Sequence, residues 1–358
     1  MDERIRRHAK ILVDHCTDVQ EGDMVVVSAS VESRDLVTAV YEELAKIGAH
    51  PITKFRNSEA SRVFYDNLDE EHVTEVTHSK AMWEETDVAI SIRGSSNTKT
   101  MNSVDPEIRN KHSKANEETR ELRLDCRWVL TQHPTSGQAQ QAEMSEMEYE
   151  DFVYDAILED WEDRKEYQSQ MVDILEDGTE VQIESGDDTD LRMSIDGMNP
   201  ENDYGENNMP GGEVFTAPVK DSVNGTVLFD KPLLAHGREV NDVYLEFEDG
   251  EVVDYSASQN EEVIKSVLET DDGASYLGEL GIGMNRNINR FTYNMLFDEK
   301  MGDTVHLALG RAYDRNVGED REQNQSAIHM DMIIDMSEDS RILVDDELVQ
   351  EDGEFVFE

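Results

Sequence analysis

The stretch Met24-Val25-Val26-Val27-Ser28, then Leu36 to Ile47, Gly48 and Ile52-Thr53-Lys54-Phe55, decides the fold of the first half. Met24 to Ser28 is a short, largely apolar run of the kind that forms a strand buried on both faces. Leu36, Val40, Leu44 and Ile47 repeat at helical spacing and make one apolar stripe. Gly48 can adopt the left-handed backbone that ends such a helix. A second strand follows at once. Strand, helix and strand in that order predict neighbouring parallel strands with the helix on one face.

The same alternation extends outward. Ile5, Ala9, Leu12, Val13 and Cys16 fall on one face of an amphipathic helix. A helix is predicted around residues 69 to 82, a strand over Asp87 to Ile92, a long polar helix near 105–124 and a strand at Trp128-Val129-Leu130. Together these predict an α/β N-terminal domain with a mainly parallel sheet. Residues 138–176 read as a helical, heavily charged joint, stopped by Gly178. Beyond it come short alternating runs: Glu180 to Glu184, Leu191 to Ile195, Gly225 to Phe229, Val243 to Phe247 and Val252 to Tyr255. Asp249-Gly250 between the last two is a hairpin signal. With one helix from about Glu261 to Thr270, the second half is predicted to be a mostly antiparallel α+β domain. The expected domains are 1–180 and 181–358.

Charge narrows the partners. The 358 residues hold 82 Asp plus Glu against 32 Lys plus Arg, a formal net charge of −50. The acids run from Glu3 to Glu358 with no dominant block, as in a surface adapted to a high-salt cytoplasm. In molar salt the Debye length is about 3 Å, which screens such self-repulsion. A halophilic archaeal origin is the expectation. Nucleic acid is disfavoured, because both partners would be polyanions. Cys16 and Cys126 form no CxxC pair, which fits an intracellular protein. No apolar run approaches the ~20 residues of a membrane span, and Met1 to Arg7 is charged with no apolar signal core behind it. A cytoplasmic protein without membrane contact is expected.

Most of the ten histidines read as solvated or packing residues. His8, His15, His72, His78 and His112 sit among charges in predicted helices. His50 and His133 precede prolines, and His236 precedes Gly237 in a predicted turn. No HExxH occurs, which excludes a zincin.

Five segments of the second half differ. In Pro210-Gly211-Gly212-Glu213-Val214-Phe215, two glycines turn the chain before Glu213 opens a strand. In Tyr276-Leu277-Gly278-Glu279-Leu280-Gly281, one carboxylate stands among glycine and aliphatic residues, where it wants a cation or a proton. Leu296-Phe297-Asp298-Glu299-Lys300 leads into Thr304-Val305-His306-Leu307-Ala308-Leu309. With period two, Val305, Leu307 and Leu309 point one way, and His306 and small Ala308 the other. In Ile328-His329-Met330-Asp331-Met332, His329 and Asp331 share a face, a compact N,O chelate for Zn, Co or Mn or else a core His–Asp hydrogen bond. Glu213, Glu279, Glu299, His306, His329 and Asp331 suffice for two divalent metal ions of a hydrolase. Scattered in space, the same six groups would mean nothing. Three functions stay open on the residues alone: a metallopeptidase, another two-metal amidase or phosphoesterase, and a non-catalytic acidic cation-binding protein.

The segments PGGEVFTAP, YLGELGIG, LFDEK…GDTVHLALGRAY and HMDMII resemble the M29 metallopeptidases, the aminopeptidase T and aminopeptidase S group. The likeness covers nearly the whole chain, including the opening GD-VVV strand and its helix. It implies an aminopeptidase acting on peptides with a free N-terminus. It implies metal ligation by Glu213, Glu279, Glu299, His306, His329 and Asp331, with Glu279 also activating the water. It places Tyr313 at the metal centre with a part in catalysis. It also implies an N-terminal α/β domain, a C-terminal α+β domain, and a homodimer with an enclosed site. One departure stands out: Glu299 precedes His306 by seven residues, two more than in familiar bacterial members.

Overall fold

Each apolar run of the first half becomes a strand of one parallel sheet in the computed structural model, which describes residues 1–235 and 237–358. The strand order is His50–Arg56, Met24–Ser30, Val88–Arg93, Arg127–Gln132 and the two-residue Asn208–Met209. All neighbours run parallel. The helix Arg34–Ile47 buries Leu36, Val40 and Leu44, and Gly48 ends it at φ +91° with its N–H donating to the Leu44 carbonyl. The N-terminal apolar face is buried as expected through Ile5, Ala9, Leu12, Val13 and Cys16, although the α-helix Glu3–Lys10 passes into a π-helical segment, Ile11–Cys16. His236 lies outside the described residues.

Three predicted helices are more broken than their composition suggests. The 69–82 helix is a 3-10 turn, Glu70–His72, and a separate α-helix, Thr77–Glu84. Between them lie Val73, Thr74 and Val76, β-branched residues that favour extended backbone. The 105–124 helix is split into Pro106–Ala115 and Glu117–Asp125. Asn116 stands at the break, where its side-chain oxygen accepts from the Val76 N–H at 2.8 Å. The 138–176 joint is three helices, Ser136–Gln141, Glu146–Ile157 and Trp161–Asp177. Ser145 and Asp160 are N-caps of the last two and interrupt the run.

The chain forms two compact units, residues 1–159 with 205–210 and residues 160–204 with 211–358. The expected boundary near residue 180 therefore lies at the far end of the second unit's first helix. The short strand Asn208–Met209 belongs to the first unit, paired with Leu130 and Thr131.

The second unit holds two larger sheets, both antiparallel. The eight-stranded one runs Glu251–Ser256, Val243–Glu248, Asn224–Phe229, Thr189–Ser194, Glu180–Ser185, Ser340–Val344, Glu347–Glu351, Glu354–Phe355. Asp249 and Gly250, both at positive φ, make the predicted hairpin turn between its first two strands. The five-stranded sheet runs His329–Asp335, Thr304–Gly310, Leu277–Gly283, Glu213–Thr216, Glu201–Asp203. One core joins the sheets: Val181, Ile183, Leu245 and Phe247 of the eight-stranded sheet with Leu280, Val305, Leu307 and Ile334 of the five-stranded one. Burial fixes the register, because a one-residue slip would turn every apolar side chain outward. The opposite face of the five-stranded sheet is left for polar groups.

Candidate metal centre

That opposite face gathers the candidate ligands. Gly281 pairs with His306, Gly283 with Glu213, and Ala308 with both Glu279 and Asp331. Val305, Leu307 and Leu309 turn into the core, so His306 and Ala308 point away from it. Small residues beside the ligands leave them room. A Cβ on Gly281 would lie 2.0 Å from both Cε1 and Nε2 of His306. Gly212, at φ +118°, makes the turn before Glu213, and its Cβ would lie 2.4 Å from the Asn285 Cβ. Asn285 donates to the Gly211 carbonyl at 3.1 Å, and Gln168 donates to the Glu213 carbonyl at 3.0 Å. These contacts pin the backbone from which Glu213 projects.

The six side chains form one continuous network. His306 Nε2 lies 3.2 Å from Glu279 Oε1 and 3.3 Å from Glu213 Oε2. His329 Nε2 lies 3.3 Å from Asp331 Oδ1 and 3.6 Å from Glu279 Oε2. Glu279, His306 and Asp331 each bring a ligand atom within 4.8 Å of the others. Glu299 joins through Lys300, whose ammonium contacts it and stands 3.0 Å from Glu213 Oε1. The Tyr313 ring tilts against His329 with centroids 4.7 Å apart.

Several features suit a cation. Glu213, Glu279 and His306 are buried. Among the described residues, Glu213 Oε2, Glu279 Oε2 and His306 Nδ1 have no hydrogen-bond partner, a costly arrangement unless something else satisfies it. His329 Nδ1 is 2.7 Å from the Arg311 carbonyl, which can only accept. Nδ1 therefore carries a proton, and Nε2, which faces Asp331 and Glu279, is the nitrogen that would be free to bind a cation. Carboxylate and imidazole together are the donor set of a divalent transition metal.

Without a metal, protons answer the crowding. Burial pushes the Glu213 carboxyl up to about 8 against the pull of Lys300. Burial opposes charge on the imidazoles, yet Glu279 and its neighbours bring His306 up to about 9, and Asp331 brings His329 up to about 10. A bound cation would displace such protons. Burial also raises the Tyr313 phenol, and the surrounding carboxylates raise it further. That phenol keeps its proton at neutral pH.

Lys300, Asp203 and Asp298 were not foreseen as site residues. Lys300 is fully buried, with Asp203 3.6 Å from its ammonium. Burial opposes its charge, but Glu213, Glu299 and Asp203 hold its pKa well above the ordinary value. Asp298 accepts from the Thr292 N–H, the Thr292 hydroxyl and the Asn294 N–H at 2.7 to 2.8 Å. It thereby fixes the turn that presents Glu299 and Lys300. The available signal was a pair of charged residues flanking Glu299 in an otherwise apolar segment.

Comparison with known proteins adds an independent line. A family profile described as thermophilic metalloprotease (M29) matches residues 1–355. Aminopeptidase 2 of Geobacillus stearothermophilus is 28% identical, over 93% of this chain and 92% of its own. Aminopeptidase T of Thermus aquaticus is 37% identical over a shorter stretch, 41% of this chain and 37% of its own. Among solved structures, wild-type AmpT from Thermus thermophilus superposes with a TM-score of 0.87 at 23% identity, covering 99% of both chains. A 2,5-dihydroxypyridine dioxygenase from Pseudomonas putida KT2440 shares the fold more distantly, with a TM-score of 0.58 at 14% identity over 98% of this chain and 96% of its own.

Proposed function

Because the chain belongs to the M29 metalloprotease family, we propose that it is a metal-dependent aminopeptidase that removes N-terminal residues from peptides. The observation that carries this reading is the meeting of Glu279, His306 and Asp331 within 4.8 Å on one sheet face. His329 stands beside them, and Glu213 and Glu299 complete the donor set. We further propose that the centre holds two divalent ions, of Zn, Co or Mn. Charge supports the number: two such ions and the Lys300 ammonium balance the carboxylates of Asp203, Glu213, Glu279, Glu299 and Asp331. No helix among the described residues is long and apolar enough to cross a membrane.

A divalent cation held by these residues would supply Lewis acidity, polarising a scissile carbonyl and lowering the pKa of water toward ~7. The protein moves the protons. Glu279 directs Oε1 at His306, and its Oε2 has no hydrogen-bond partner among the described residues. In this reading Glu279 takes a proton from the attacking water and hands it to the leaving amine. Tyr313, protonated, donates to the oxyanion of the tetrahedral intermediate, an interaction worth about 3 kcal/mol in comparable sites.

The test pairs aminoacyl p-nitroanilides with their N-acetylated forms. Cleavage of the free-amine substrates alone, abolished by chelation and restored by Co or Zn, is expected. Equal cleavage of the acetylated forms would remove the exopeptidase reading, and activity that survives complete chelation would remove the metal. We also propose a homodimer working in a salt-rich cytoplasm, from the family resemblance and the net charge of −50. Light scattering in molar potassium chloride that finds the mass of one chain contradicts the dimer.

A further inference from the structure

A second site lies in the first unit, on one face of the parallel sheet. Ser28 pairs with Lys54 on one side and Ser91 on the other, and Ser91 pairs with Leu130. Two residues further along the strands, Arg56, Ser30 and Arg93 form the next row. These positions lie toward the carboxyl ends of the strands. The strand order, with Met24–Ser30 and Val88–Arg93 central, puts the topological switch point between them. Open α/β sheets bind ligands at that end and at that crevice.

The crevice is a pocket of about 480 Å³ with a cationic lining. Lys54, Arg56, Arg93, Arg120 and Arg123 contribute to its wall, and among the described residues no Asp or Glu does. That is an unusual concentration in a chain with 82 acidic and 32 basic residues. Lys54, Arg56 and Arg123 make no ion pair among the described residues. Arg120 meets Glu117 at 3.7 Å, outside the lining. The apolar cluster of Val26, Trp83 and Ala89, with Trp128 against it, packs below. It gives way to serines where the pocket opens. Ser28 and Ser91 occupy the two central strands, both buried, and line the pocket. Burial and then the neighbouring cations lower the pKa of Lys54 and Arg56, the signature of positive charges held together without a counter-charge.

We propose that this pocket binds a small organic anion through a phosphate or carboxylate group. Arg56, Arg123 and Lys54 supply charge, and the Ser28 and Ser91 hydroxyls supply neutral donors to the remaining oxygens. Arginine presents its fork of N–H groups to either oxyanion. The site uses none of the candidate metal ligands.

Calorimetric titration of the metal-loaded protein with glycerol 3-phosphate and with glutarate tests the proposal, in the lowest chloride concentration that keeps the chain folded. Binding of either ligand is expected, and the stronger one identifies the oxyanion. Arg56→Gln combined with Arg123→Gln should weaken it at least tenfold, whereas His329→Ala should leave it unchanged. A Lys54→Gln variant gives the same reading with one exposed change if the double variant does not fold. The proposal is overturned if neither anion binds, if the pocket variants bind as tightly as the parent, or if His329→Ala abolishes binding and so places the anion at the metal centre.

Discussion

Gly281 lies directly across the sheet from His306, so close that a Cβ there would fall 2.0 Å from the imidazole Nε2. His306 keeps its position because its neighbour has no side chain. Gly281→Ala should push the ring out of line with Glu279 and Glu213. Metal affinity should fall by on the order of 10- to 100-fold, as when a ligand's support is removed. Competition with a chromophoric chelator measures this directly, and unchanged affinity would show that the ring position is not critical.

Tyr313→Phe removes the phenolic proton and keeps the ring that packs on His329. kcat should fall about 100-fold, the size of one lost oxyanion donor. Metal content should stay the same. Full activity in this variant would take Tyr313 out of the mechanism.

Lys300 is the buried counter-charge of Glu213, Glu299 and Asp203. Lys300→Met leaves those carboxylates facing one another. The metal-free protein should lose about 3–5 kcal/mol of stability, the usual cost of breaking a buried pair from one side. Added divalent ion should recover part of it. Denaturant unfolding with and without chelator reads both effects, and equal stability of variant and parent without metal would contradict this role.

His8 gives the first unit its own pH dependence. It is fully buried, with Nε2 2.9 Å from the Thr131 hydroxyl, and burial pushes its pKa down to about 3. The unfolded value is about 6.5, so this group's stabilisation is complete above that pH. It is lost as the pH falls toward 3, because the unfolded chain binds the proton first. Between pH 7 and 5 the loss should be about 2 kcal/mol. His8→Gln should remove that slope. Comparing the two proteins cancels the titration of surface carboxylates, and parallel slopes would mean that His8 does not govern it.

The legible parts of the molecule are those where periodicity and burial agree. Val305, Leu307 and Leu309 alternate with His306 and Ala308, so the strand and its polar face follow from the sequence alone. His329 and Asp331 sort onto one face by the same rule. The Gly48 cap and the Asp249-Gly250 turn were equally plain, because each needs a backbone that few residues adopt. Long-range pairing was not legible. Lys300 and Asp203 are 97 positions apart, and nothing local in either segment announces the contact between them. Asn208–Met209 is too short to show a period, so its place in the first unit's sheet could not be foreseen. Asn116 splits a helix by bonding to Val76, a tertiary contact invisible to a count of polar residues. The pocket around Arg56 was hidden for the same reason, since its cations come from separate strands and helices.

The most direct test is the metal content of the protein after stripping with chelator, reloading with cobalt and exhaustive dialysis. The expected result is two ions per chain in the parent, with at least one lost in His329→Ala. Retention of no ion by the parent, or the same content in His329→Ala, would contradict a metal centre built on these side chains.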